Sequence, residues 1–170
     1  ELVRLHWWLA DARSWQGQYD DNMKIGEDGL ELLGVDLGAI HTPASAKVLE
    51  SLEVALMCTV LAYSHWFGSR RNLNKCWEIA DRLAHFIPCL PYAPELRPTY
   101  VLLCEVCIQQ NNTEEALKWM HLLEDRANQD CDLRALGAAH LESAYTLNLS
   151  GNLKGALSSY KQGLEHFQRI

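Results

Sequence analysis

The sequence predicts an all-α protein built as a stack of about four antiparallel helical hairpins. Three observations carry that prediction. A phrase made of a turn, polar residues and then a small residue recurs along the 170 residues. Its small positions are Asn22, Cys76, Ala116 and Ala156; the last two intervals are each 40 residues, and the first is 54, which requires an insertion. A repeated interval of that order marks a helical array. No stretch sustains the period-two alternation of a half-buried strand. Helix-start and helix-stop residues lie between the apolar-periodic segments.

The first helix is expected over 1–15, where Leu2, Leu5 and Leu9 set the apolar spacing. Gly17, free to take a positive φ, ends it, and the second helix runs over 19–33. A connection over 34–42 holds Gly34 and Gly38, and Thr42 then Pro43 read as an N-cap and first helical position. The third helix is therefore expected over 43–67 and the fourth over 72–87. Pro88, Pro91, Pro94 and Pro98 make a stiff connection into a fifth helix over 97–110. Asn112 and Glu115 stand at capping-box spacing before a sixth over 113–128. Asp132 caps a seventh over 132–149, and Gly151 ends it ahead of the eighth over 153–168. Small residues at the hairpin crossings let the paired helices approach, with Ala10, Cys104 and Ala144 placed against Asn22, Ala116 and Ala156.

Ala144, Gly151, Ala156, Tyr160 and Gly163 at one end, Ala10, Gly17, Tyr19, Gly29 and Leu30 at the other, and Cys104, Ala116 and Leu123 between them resemble the tetratricopeptide repeat. The likeness covers nearly the whole chain and is poorest in the second hairpin. The period of 40 exceeds the family's ~34, and the family's repeat-end proline is absent after Leu30 and after Leu123, which implies a long-helix variety. The resemblance implies a right-handed α-solenoid over 1–170, whose inner helices line a concave groove. Carried over residue by residue, it places Arg4, Trp7 and Asp11 in the groove from the first inner helix. It adds Leu61 and His65 from the second, Val101 and Glu105 from the third, and Leu141, Tyr145 and Asn148 from the fourth. The family's clamp for chaperone tails needs Lys and Asn where this chain has Trp7, Asp11, Val101 and Glu105, so that clamp is absent. Asp11 and Glu105 favour an apolar or basic helix or peptide over an acidic one.

Composition narrows the function. Hydrophobic residues at 48% and charged residues at 22% describe a folded chain rather than an acidic tail. A net charge of −7 argues against nucleic acid and anionic membranes as partners. The longest apolar stretch, residues 54–63, is half the ~20 residues of a spanning helix. No glycine-rich phosphate loop, nucleophile elbow or His-Glu-x-x-His is present. The acidic pairs read as solvated faces and the seven histidines as ordinary ones. Cys104 and Cys107 form a Cys-x-x-Cys in mid-helix. A redox pair wants a helix N-terminus and zinc wants two more ligands, so core packing is expected, with all six cysteines as reduced thiols. The spaced prolines read as a stiff spacer rather than a polyproline ligand. The sequons at Asn111 and Asn148 read as chance. Adjacent Trp7 and Trp8 cannot face the same core.

The expectation is a cytoplasmic, non-catalytic protein-interaction scaffold for complex assembly, with no cofactor and no metal. Residues 30–37 are similar to a phrase in the helical arms of large multidomain signalling ATPases. The alternative is therefore an intramolecular regulatory arm packing on an NTPase or cyclase module. Amphipathic pattern starts at Glu1 and still runs at Ile170, so the chain is read as a piece of a longer protein.

Overall fold

A computed structural model describes residues 1–35 and 51–170. Among them are eight α-helices and no strand: α1 (Leu2–Ser14), α2 (Tyr19–Leu32), α3 (Leu52–Phe67), α4 (Leu73–Phe86), α5 (Arg97–Gln109), α6 (Thr113–Asp130), α7 (Leu133–Leu149) and α8 (Leu153–Gln168). None is long and apolar enough to cross a membrane. The chain divides into two compact units, Glu1–Pro91 with α1 to α4 and Tyr92–Ile170 with α5 to α8.

Local chemistry explains where the helices begin and end. Asn72, Asn112 and Asn152 each accept, through Oδ1, the backbone N–H three residues on, at 3.1, 3.2 and 3.0 Å. Asp132 Oδ1 accepts two, from Arg134 and Ala135, both at 3.0 Å. Each satisfies a donor that a helix start leaves without an intrahelical partner. Only half of the expected capping box forms: the Asn112 N–H donates to Cys107 O at 2.9 Å, and the Glu115 carboxylate takes Lys118 Nζ at 3.1 Å. Gly17, Asn111 and Gly151 take φ of 73°, 59° and 81° and end their helices in the same way. The next N–H in each case reaches back to Arg13, Cys107 or Leu147 O at 2.9–3.0 Å. Asn152→Ala should destabilise the chain by about 1 kcal/mol and Asn152→Gly by a few tenths, read as melting midpoints by circular dichroism.

The third helix departs from expectation. Ser51 is extended at its N-cap and its Oγ accepts the Val54 N–H at 3.2 Å, so the described helix starts at Leu52 rather than at 43. The Thr42 and Pro43 start and Gly38 lie outside the described residues. The turn after α3 also differs from the others. Gly68 is extended there, and Asp20 Oδ1 at the start of α2 accepts the Ser69 N–H at 2.7 Å. The proline-rich connection holds two single 3-10 turns, Ile87–Cys89 and Pro94–Leu96, with Ile87 and Leu96 buried.

Packing follows one order in both units. In the first, α1 lies on α2, α2 on α3, α1 on α3, and α3 on α4. In the second, α5 lies on α6, α6 on α7, α5 on α7, and α7 on α8. Consecutive helices pack as neighbours within each unit, as in a helical repeat. Helix α3 touches α1, α2 and α4, which is why residues 54–62 are apolar almost all round and buried throughout. Glycines set the closest approach. A Cβ on Gly26 would stand 2.6 Å from Leu61 Cγ, and one on Gly29 2.3 Å from Met57 Sδ. Buried Asn22 donates through Nδ2 to Ala10 O at 3.0 Å and Ser14 Oγ at 2.9 Å, tying α2 to α1. Cys104, Ala116, Ala144 and Ala156 are buried as the crossing positions require. Trp7 is buried and Trp8, about 100° round the helix from it, is 58% exposed. All six cysteines are free; Cys58, Cys76 and Cys104 are buried, Cys107 is half-buried, and Cys89 and Cys131 are exposed.

Candidate functional site

In the second unit α5 and α7 lie side by side. Cys104 Sγ on α5 meets Thr146 Oγ1 on α7 at 3.8 Å, and Thr146 Oγ1 donates to Glu142 O at 2.8 Å. Glu105 follows Cys104, and Glu142 stands one turn before Thr146, so this contact brings two carboxylates near each other. Both are half-buried. Glu105 Oε2 is buried with no hydrogen-bond partner. Burial first, and the Glu142 charge second, push the Glu105 carboxyl up to about 7. Burial also raises Glu142. An acid held in this way costs free energy when ionised, until a cation or donor reaches it.

Other expected groove residues of this unit surround or leave that pair. Val101 stands one turn before Glu105 and is half-buried; Tyr145 and Asn148 are exposed on α7. Leu141 is turned towards α8, where its Cδ2 would lie 3.3 Å from a Cβ on Gly163. Glu142 was missed in the sequence, although it precedes Tyr145 by three residues on one helix face.

In the first unit Arg4 Nε on α1 pairs with Glu53 Oε1 on α3 at 3.5 Å. Asp11 is exposed. Trp7 is only 7% exposed and offers a partner almost no surface. Leu61 is buried against Gly26. His65 is half-buried, its Nδ1 has no partner, and burial holds its imidazole below the usual range, with Lys75 acting the same way and Glu27 opposing.

A second polar cluster joins three helices of the second unit. His140 Nε2 on α7 meets Glu124 Oε1 on α6 at 3.6 Å, and its ring stacks on His166 of α8 with centroids 5.3 Å apart. Burial holds His140 below the usual imidazole range, with Glu124 pulling the other way. Among the described residues no three or more His, Cys, Asp or Glu are gathered as for a metal ion. Burial pushes the Cys104 thiol up to about 12 and raises Cys107, so neither is a ready thiolate. Comparison with protein-family models, with curated proteins and with solved structures finds no match in any of the three.

Proposed function

We propose that the chain is a non-catalytic protein-interaction module of tetratricopeptide type, a right-handed solenoid of hairpins, and that the α5 and α7 face takes a basic residue of a partner helix or peptide. The observation that carries this reading is the buried, unpartnered Glu105 oxygen beside Glu142. A guanidinium or ammonium supplies the donors that this oxygen lacks. The stem of the basic residue runs over Val101 and Tyr145, as long cationic side chains cover apolar surface. Helices already held by packing lose little freedom when the partner docks. The free thiols suit a reducing compartment such as the cytoplasm.

The test uses a labelled helical peptide carrying one Arg in an apolar frame, and its Arg→Gln counterpart, followed by fluorescence anisotropy. The Arg peptide should bind at least about tenfold more tightly, the worth of a charged hydrogen bond. Glu105→Gln with Glu142→Gln should erase the difference while leaving the helical circular dichroism unchanged. Equal binding of both peptides to the natural chain would sink the reading.

A further inference from the structure

Helix α8 carries two apolar faces, and only one of them is covered. The covered face is made of small residues: Ala156 and Gly163 are buried, with Gly163 held against Leu141 and the Gly137 carbonyl of α7. The other face is made of large ones. Leu153, Leu157, Tyr160, Leu164 and Phe167 follow at alternating spacings of four and three, and they are 66, 58, 43, 56 and 42% exposed. Phe167 divides its ring between solvent and a contact over Gly137. That spacing is the seam along which one helix takes another. The hairpin repeat says what a seam here is for. Forty residues earlier, the same face of α6 carries Leu117, Met120 and Glu124. There Met120 is fully buried and Glu124 meets His140 of α7. On α6 this face holds a helix, whereas on α8 no described helix lies over it.

Charge selects the occupant. Lys154 and Lys161 each follow a seam residue by one position and lie seven residues apart, so they flank one edge of the seam. Among the described residues neither forms an ion pair. This basic edge stands on a chain whose net charge is −7. Pairing two copies of α8 antiparallel would set these lysines against each other, which disfavours a second copy. We propose that the Leu153, Leu157, Tyr160 and Leu164 seam docks an amphipathic helix of a partner protein whose apolar stripe is flanked by Asp or Glu. The inference is independent of the α5 and α7 site.

Two synthetic peptides of about 20 residues, long enough to form helix, would share one leucine seam and differ only in Glu or Lys at the flanking positions. Anisotropy titrations use the whole 170-residue chain. The Glu-flanked peptide should bind about tenfold more tightly than the Lys-flanked one, and the gap should close in about 1 M salt. Lys154→Glu with Lys161→Glu should reverse the preference. Leu157→Asp, at an exposed position, should weaken binding by about thirtyfold or more with helical circular dichroism unchanged. Equal affinity for the two peptides, or binding of neither, would overturn the proposal. Self-association seen by sedimentation equilibrium and lost in Leu157→Asp would overturn it in favour of a second copy. Uptake by phosphatidylserine vesicles without peptide preference would overturn it in favour of a membrane.

Discussion

Ala116→Trp is expected to lower the melting midpoint of the chain by about 6–12 °C, the shift that roughly 3 kcal/mol produces in a chain of this length. Ala116 is fully buried where α6 crosses α5, next to a turn whose backbone is fixed by Asn111 at φ 59°. A tryptophan there has no void to fill, so it must push the hairpin open; overpacking of this kind costs ~1–3 kcal/mol and more when neighbours cannot move. Ala156→Trp should behave in the same way between α7 and α8. Leu157→Trp, one residue further on and exposed, is the control and should melt within about 0.5 kcal/mol of the natural chain. Thermal scans of the three variants decide it. Wild-type melting of both alanine variants would mean that the small residues do not mark the crossings.

Glu105→Gln should make the chain more stable at pH 8 and leave it nearly unchanged at pH 4. The folded carboxyl titrates near 7, above its ordinary value of 4.5. Between those two values the folded state holds more protons than the unfolded one, so stability falls as pH rises through the window. Below it the contribution is fully present; above it the ionised acid remains a cost of about 3 kcal/mol at most. Glutamine keeps the shape and removes the titration. Urea unfolding at pH 4, 6 and 8 should therefore show a gap between variant and natural chain that opens with pH. A gap of constant size would mean that Glu105 is well solvated, and the case for a basic partner on α5 and α7 would go with it. Glu142, raised in the same direction by burial, should add to the trend.

Elements set by short-range chemistry were legible from the residues alone. Gly17, Gly151, Asn112 and Asp132 act on their own turns, and the helices fall where they point. Helix α3 was harder to read. It is apolar all round because three helices surround it, so its pattern carries no face and left its start to be guessed from Thr42 and Pro43. The second hairpin resisted alignment because its turn is braced by Asp20, 49 residues away, instead of by a left-handed residue. The candidate site was half legible. Adjacent residues on a helix point about 100° apart, so an error of one position separates Leu141, which faces α8, from Glu142, whose charge acts on Glu105. Trp7 went to the core by the same margin that left Trp8 outside. The link from Glu124 through His140 to His166 spans three helices, and no spacing in the sequence announces it.

The turns at Gly17, Asn111 and Gly151 share one backbone path, and no atom crowds the Gly17 and Gly151 positions within 4 Å. That makes each turn a cassette with standard ends. A protein engineer can exchange the six residues over 147–152 for those over 107–112 without redirecting either helix.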